Sequence, residues 1–339
     1  MDMENVKKMT NIISIKDLTI SYESREIGVC KAVNHFSLDI RKGETIGLVG
    51  ETGAGKTTAA LAVLRLLQSP PAKIKSGEIL YEGKNVLKFS RSEMREFRGK
   101  KVSMIFQDPM TALNPIETIG DQVAEVIRIH NKVDHREAVK RAAEMLETVG
   151  ISADRFYEYP HQFSGGMKQR VIIAIALACS PQLLLADEPT TALDVTIQAQ
   201  VLDMMNELKE KAGTSVLLIT HDLGVVAKMC DRVAIMYAGE IVELGTAEQI
   251  FDKTAHPYTQ GLLDSLPRLA GTSKRLRSIP GLMPDPTALP KGCSFAERCS
   301  YAAEECRQQK CGLEEMDSGH LVRCIHRLEK GGGKHECDT

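Results

Sequence analysis

Runs of apolar residues separated by polar turns predict strands of two kinds along this chain. Some runs are mainly apolar and unbroken, which is typical of strands covered on both faces of a sheet. These runs span residues 44–49, 101–106, 183–186 and 214–220. Residues 12–22 alternate instead between apolar and polar positions, which predicts a strand at an exposed sheet edge. Further alternation at 36–40 and 77–81 indicates a small antiparallel sheet that contains this strand.

Over residues 119–150 the spacing of apolar side chains changes to three and four positions. This period predicts amphipathic helices, and it indicates a helical subdomain inserted at about 113–178. Residues 233–237 and 241–244 then predict a hairpin that closes the sheet, with a turn containing glycine between them.

One glycine-rich stretch lies between a predicted buried strand and a predicted helix. It consists of Gly50, Glu51, Thr52, Gly53, Ala54, Gly55, Lys56, Thr57 and Thr58. Glycines let backbone N–H groups turn inward around a phosphate, and the helix N-terminus adds unpaired donors. The spacing therefore predicts a phosphate-binding loop in which Lys56 reaches the β- and γ-phosphates and Thr57 ligates Mg²⁺. The alternative is a chance match in a turn.

Polar residues follow three of the apolar strands at their carboxyl ends, where α/β folds place ligand contacts. They are Gln107, the pair Asp187 and Glu188, and His221. Asp187 suits a Mg²⁺ ligand and Glu188 a general base beside it, while His221 is placed for a phosphate contact. The alternative is a strand-end loop with solvated acids and a structural histidine.

Two further positions are candidates for nucleotide contacts. Ser164, Gly165 and Gly166 precede an apolar helix and predict a second anion-ready N-terminus, although such a sequence alone is more often a turn. Tyr22 ends the first strand and could stack on a base, or it could pack locally as strand aromatics do.

Length and charge narrow the class of protein. The chain has 339 residues, so we expect two or more packed units. Its formal net charge of −2 gives no reason to expect a nucleic-acid partner. No apolar run approaches the roughly 20 residues of a membrane span, and the first residues lack the apolar region of a signal peptide. We therefore expect a cytosolic protein that meets a membrane only through a partner.

Cysteines crowd into the last fifty residues. They are Cys293, Cys299, Cys306, Cys311, Cys324 and Cys337. In a reducing compartment such a cluster is more often a metal site than a disulfide framework. The tail is also short and poor in large apolar side chains, so it cannot build a core alone and a metal could supply folding energy.

The order of these motifs resembles that of the ATP-binding subunits of ABC transporters over residues 12–265. In that resemblance the matching segments are the Walker A loop at 50–58, the Q-loop at Gln107, the signature motif at 163–169, the Walker B strand at 183–188, the D-loop at 192–194 and the H-loop at His221. The resemblance implies an α/β P-loop domain with a mixed core sheet, an antiparallel β subdomain and an inserted helical subdomain. It also implies ATP and Mg²⁺ as ligands, with Thr57, Gln107 and Asp187 around the metal.

Several segments resemble the dipeptide and oligopeptide importers of that family more narrowly. They are residues 107–115, 256–259, 279–281, 292–295 and 320–324. This resemblance implies that the extension at 266–339 is a small cysteine-rich domain carrying a 4Fe–4S cluster. The implied ligands are Cys293, Cys299, Cys306 and Cys324, which leaves Cys311 and Cys337 as free thiols. Zinc is the main rival, but structural zinc sites usually use closely spaced cysteine pairs that these four lack.

The resemblance also implies partners and a place in the cell. We expect a sister ATP-binding subunit, two permease subunits and an external solute-binding protein, with the assembly at the cytoplasmic face of the inner membrane. Each ATP would lie between one subunit's P-loop and the other's Ser-Gly-Gly. A nickel or other small-solute importer remains an alternative, as does a soluble ABC-type ATPase of DNA repair or translation. A non-catalytic partner ATPase would lack Glu188 or His221, and both are present.

Overall fold

The computed structural model describes residues 10–26, 28–107, 112–191, 193–266 and 278–328, and the strands in these ranges form two sheets. In chain order the strands are β1 (Asn11–Ser24), β2 (Gly28–Arg41), β3 (Thr45–Val49), β4 (Ala72–Tyr81), β5 (Lys84–Asn85), β6 (Val102–Ile105), β7 (Leu183–Asp187), β8 (Ser215–Thr220), β9 (Arg232–Tyr237), β10 (Glu240–Thr246), β11 (Glu314–Asp317) and β12 (His320–Val322). The predicted buried strands and the closing hairpin are confirmed at the expected positions.

The larger sheet is mixed, as expected. Its described order is β11-β12-β10-β9-β3-β8-β7-β6, and the neighbours from β9 to β6 run parallel. In β3, β7 and β8 every residue is buried, because helices and the second sheet cover both faces. The parallel strands therefore end at one edge, where β3 leads into the glycine-rich loop.

The smaller sheet is antiparallel in the order β2-β1-β4-β5. The prediction that the first strand lies at an edge is wrong, since β1 pairs with β2 on one side and β4 on the other. Its alternation arises because one face packs on the core, with Ile13 and Ile20 fully buried, while the other face meets solvent. A half-buried central strand and an edge strand have the same pattern, so the sequence could not separate them.

The described helices are α1 (Lys56–Val63), α2 (Arg91–Phe97), α3 (Ile119–Asn131), α4 (His135–Thr148), α5 (Gly165–Leu177), α6 (Val195–Ala212), α7 (Leu223–Met229), α8 (Ala247–Asp252), α9 (Pro257–Asp264) and α10 (Glu304–Gln308). In these ranges every helix is too short or too polar to cross a bilayer. Thr118 and Asp134 cap α3 and α4 by accepting hydrogen bonds from backbone N–H groups. The apolar stripes of α3, α4 and α5 meet in one cluster, which also includes Val49 and Leu184 of the larger sheet. The bounds of a separate helical subdomain stay a prediction.

The described part of the tail is built onto the preceding residues rather than standing alone. Strand β12 pairs antiparallel with β10, with Val322 opposite Glu243, and Val322 is fully buried. Phe295 lies within 5.3 Å, centroid to centroid, of both Tyr237 and Tyr258. The tail thus obtains its core from the hairpin and α9, which explains how so short a segment can be ordered.

Candidate functional site

The loop after β3 wraps around the side chain of Lys56. Its ammonium donates hydrogen bonds to the carbonyl oxygens of Gly50, at 2.7 Å, and Glu51, at 2.9 Å. A Cβ atom at Gly50 would lie 2.2 Å from the carbonyl oxygen of Met236, so only glycine lets the loop approach β9 this closely. Burial lowers the pKa of Lys56, while the charges of Glu188, Asp187 and Glu51 act in the opposite direction. The loop therefore holds a cation beside carboxylates in a cleft.

Asp187 ends β7 with a side chain that is almost fully buried. Burial raises its pKa, and the Thr57 hydroxyl hydrogen-bonds the same carboxylate. Among the described residues its Oδ2 atom has no hydrogen-bond partner. A buried carboxylate oxygen without a partner is costly, and a cation would satisfy it. Thr57 and Asp187 supply hard oxygen donors side by side, so the residues present fit Mg²⁺.

Glu188 follows Asp187 in a left-handed backbone conformation, with φ of 47°, that turns its side chain into the cleft. Its Oε1 atom lies 3.0 Å from His221 Nδ1, and its Oε2 atom accepts hydrogen bonds from Thr191, at 2.9 Å, and Gln107, at 3.4 Å. Partial burial raises its pKa, but the bonds from His221 and Thr191 outweigh this and hold it below the usual value. Glu188 is therefore a carboxylate at neutral pH.

The ends of β6, β7 and β8 thus bring Gln107, Asp187, Glu188 and His221 to the P-loop, as the strand order requires. The His221 side chain is 68% exposed, so the cleft is open on that side. Tyr22 lies next to the P-loop, with its hydroxyl 3.2 Å from Thr58 Oγ1. Its role in stacking a base stays a prediction.

The Ser-Gly-Gly segment at residues 164–166 lies outside this cleft. Ser164 caps α5 by accepting a hydrogen bond from the backbone N–H of Met167, and Gly166 packs so closely against Ile197 that a Cβ would meet it at 2.5 Å. No hydrogen bond or ion pair of the described residues joins Ser164, Gly165 or Gly166 to the P-loop. The role of the Ser-Gly-Gly segment at a nucleotide stays a prediction.

Sequence reasoning missed three side chains that shape the site. Thr191 hydrogen-bonds Glu188, and its position three residues later in a proline-containing turn was an available signal. Gln169 is fully buried in α5 and donates to the carbonyl oxygen of Pro189, beside Glu188. Arg298, in the tail, forms an ion pair with Glu51 of the P-loop, and no local pattern indicates a contact across that sequence distance.

The tail cysteines line a small cavity of about 20 Å³. Its lining includes all four predicted ligands, which are Cys293, Cys299, Cys306 and Cys324. Cys311, which was predicted to lie outside the ligand set, lines the same cavity. Burial raises the pKa of Cys324 to about 12 and that of Cys293 above its usual value. The thiolate form of both side chains is therefore disfavoured when no metal is bound. Within the described ranges no three metal-ligating side chains are close enough to share one metal ion. Cys337 lies outside the described residues.

A zinc ion and an iron–sulfur cluster are the two predicted occupants of this cavity, and the described side chains show a metal site for neither. The cluster itself stays a prediction.

Comparison with known protein families gives two matches on different parts of the chain. The model described as ABC transporter matches residues 33–191, which include the P-loop and the end of β7. The model described as Oligopeptide/dipeptide transporter, C-terminal region, matches residues 242–306, which include three of the cavity cysteines.

Whole proteins resemble the chain over nearly its full length. It is 50% identical to the oligopeptide transport ATP-binding protein OppD of Bacillus subtilis, covering 93% of this chain and 89% of that protein. It is 47% identical to the dipeptide transport ATP-binding protein DppD of the same organism, covering 93% and 95%. A probable peptide ABC transporter ATP-binding protein of Sinorhizobium fredii is 47% identical, covering 96% and 97%.

Solved structures resemble the chain over part of its length. A dimeric ATP-binding cassette in a post-hydrolysis state with ADP and phosphate superimposes with a TM-score of 0.62 at 28% identity. The match covers 69% of this chain and 98% of that one.

Proposed function

The chain belongs to the ABC transporter family of ATP-binding subunits, and we propose that it is the subunit that powers import of di- or oligopeptides across the cytoplasmic membrane. The observation that carries the ATPase part is the meeting of Lys56, Asp187 and Glu188 in one cleft, with His221 against Glu188. A cation, a metal-ready carboxylate and an ionised base beside a phosphate loop are the parts that phosphoryl transfer needs.

The residues of this chain divide the work. The P-loop N–H groups and Lys56 bind the β- and γ-phosphates, and Thr57 and Asp187 hold Mg²⁺, which neutralises charge on the phosphates. Glu188 accepts a proton from the attacking water, while His221 and Gln107 position that water and the γ-phosphate. Because little covalent chemistry is needed, positioning and charge stabilisation supply most of the rate.

The test is a pair of substitutions in the full chain. Glu188→Gln should retain ATP binding and lose turnover, because an amide keeps the shape of the side chain but accepts no proton. Lys56→Ala should lose ATP affinity itself, since the charge facing the phosphates is gone. ATP titration and phosphate release measured in the assembled transporter separate the two effects.

A matched control for this pair is Glu207→Gln, an exposed carboxylate on α6. It should change neither quantity. Near-normal turnover by Glu188→Gln would remove Glu188 from the proposed role.

The proposal of a peptide substrate rests on the second family match. The model of the oligopeptide/dipeptide transporter C-terminal region matches residues 242–306, and the named relatives transport peptides. Nickel or another small solute is the alternative within the same subfamily. Uptake of a labelled dipeptide, a labelled pentapeptide and ⁶³Ni²⁺ by vesicles containing the assembled transporter distinguishes these cargoes.

The proposed assembly contains a sister ATP-binding subunit, two permeases and an external solute-binding protein at the cytoplasmic face of the inner membrane. Its support is the separation of Ser164–Gly166 from the P-loop and the likeness to a dimeric cassette. The different-class alternative is a soluble ABC-type ATPase of DNA repair or translation. Co-purification with membrane subunits supports the first, and purification with nucleic acid or ribosomes supports the second.

We also propose that Cys293, Cys299, Cys306 and Cys324 hold a 4Fe–4S cluster with a structural or docking role. Supporting it is the convergence of these thiols on one cavity. The test is anaerobic purification followed by iron, sulfide and zinc analysis. Cys293→Ser should lose the iron, whereas Cys311→Ser, altered on the same cavity wall, should keep it. Stoichiometric zinc without iron would refute the cluster.

A further inference from the structure

An arginine of the tail reaches back to the P-loop. The Arg298 side chain is only 7% exposed, and its Nη1 atom donates to both carboxylate oxygens of Glu51, at 3.1 and 3.0 Å. Glu51 is the second residue of the loop that wraps around Lys56. The contact therefore joins the cysteine-bearing tail to the nucleotide site directly.

The guanidinium of Arg298 also has hydrogen-bond partners other than Glu51. Its Nη1 atom also lies 3.2 Å from the hydroxyl of the buried Tyr237, and its Nε atom donates to the carbonyl oxygen of Pro280 at 2.9 Å. Burial lowers the pKa of Arg298, but its hydrogen bonds to Tyr237 and Glu51 raise the pKa by more than burial lowers it. The guanidinium therefore stays charged. A buried cation with this many partners is a fixed charge rather than a mobile surface side chain.

Glu51 is in turn connected to Lys56. Its backbone N–H donates to the hydroxyl of Tyr258 at 3.1 Å, and its carbonyl oxygen accepts the bond from Lys56 Nζ. The Glu51 carboxylate is 31% exposed and lies in a loop built to receive anions. Without a counter-charge it would repel a triphosphate.

We propose that Arg298 is a positioning residue for nucleotide binding, which neutralises Glu51 and keeps the P-loop open to phosphate. The tail then sets the affinity of the site for ATP, although it supplies none of the groups that touch the phosphates. This inference rests on the proposed ATP-binding function. It predicts that harm done by removing Arg298 comes from the unpaired carboxylate, and can be reversed by removing that carboxylate too.

The experiment is a double-mutant cycle in the full chain, read by ATP titration and by the KM and kcat of ATP hydrolysis. Arg298→Gln should weaken ATP binding by about tenfold and raise KM with kcat nearly unchanged. The Arg298→Gln/Glu51→Gln pair should bind ATP several-fold more tightly than Arg298→Gln and within about twofold of Glu51→Gln alone. A loss of packing in the tail would not be rescued by a change in the P-loop.

Arg323→Gln is the matched control, because Arg323 binds only backbone carbonyl oxygens of Ile241 and Cys311 among its described hydrogen bonds. Arg323→Gln should remove hydrogen bonds within the tail without changing the affinity for ATP. If Arg298→Gln does not fold, Arg298→Lys replaces it: the lysine keeps the charge but not the forked donors, so ATP affinity should fall by about threefold and recover in the Arg298→Lys/Glu51→Gln pair.

Two outcomes overturn the inference: native ATP affinity in Arg298→Gln, or a double variant as weak as Arg298→Gln. If Lys56→Ala also leaves ATP affinity unchanged, the ATP site itself is wrong. If Lys56→Ala weakens binding and Arg298→Gln does not, only the role of Arg298 fails.

Discussion

At the scale of single residues, the character of the cleft comes from two adjacent carboxylates with opposite environments. Burial raises the pKa of Asp187, whose Oδ2 atom is left without a partner in the described residues. Glu188 has its pKa lowered despite partial burial, because His221 and Thr191 bind its oxygens. One is prepared for a cation and the other for a proton, which is how neighbouring carboxyl groups acquire separate tasks.

The lowered pKa of Glu188 predicts the acid limb of the rate profile. As pH falls, kcat should decline only when Glu188 becomes protonated, below the usual range for a glutamic acid. Thr191→Val removes one hydrogen bond from the charged form, so the pKa should rise and the limb should move up by about half a pH unit. Rate measurements on Thr191→Val and on the remote control Thr148→Val test this. A limb that stays in place would show that Thr191 does not tune the base.

The sequence predicted residues that the structure brings together in the cleft, because each follows directly from a strand end or a glycine-rich turn. Lys56, Asp187 and Glu188 needed only local spacing and the rule that parallel strands end at one edge. Gln169 and Arg298 could not be found this way. Their partners, Pro189 and Glu51, are distant in the chain, and a buried polar contact of that kind leaves no periodic signal.

At the scale of elements, the apolar pattern predicted whether the assigned segments are strands or helices, but it did not predict which strands lie next to one another. The unbroken runs of β3, β7 and β8 required cover on both faces, which the helices and the smaller sheet provide. The alternation of β1 specified a half-buried strand but not its place, and β1 proved to be central. β12 has only three residues, and its pairing with β10 is set by tertiary packing rather than by its own sequence.

The contact between the P-loop and β9 predicts a loss of function from one methyl group. Gly50→Ala would place a Cβ 2.2 Å from the carbonyl oxygen of Met236, and backbone atoms on both sides cannot both stay in place. The loop should shift, with ATP affinity falling by about tenfold or more while the fold persists. Gly312→Ala is the control, since nothing lies within 4 Å of its Cβ position. Equal ATP titrations for both variants would contradict the close approach.

At the scale of the whole molecule, the described tail shares a core with the nucleotide-binding part. Phe295 is 3% exposed and packs on Tyr237 and Tyr258, while β12 extends the main sheet beyond β10. Tyr258 also accepts a hydrogen bond from the P-loop. The sequence correctly indicated that the tail lacks a core of its own, but composition could not indicate that the hairpin and α9 would supply one.

A shared core means that the tail and the main sheet should lose stability together. Phe295→Ala removes a buried ring from between them and should lower the free energy of unfolding by about 3 kcal/mol. Hydrogen exchange should then quicken in β3 as well as in β12, because opening one requires opening the other. Leu282→Ala, at a side chain that is 91% exposed, should change neither. If Phe295→Ala speeds hydrogen exchange in β12 but not in β3, the tail unfolds as an independent unit. The ion pair of Arg298 with Glu51 would then be a contact between two separately folding parts.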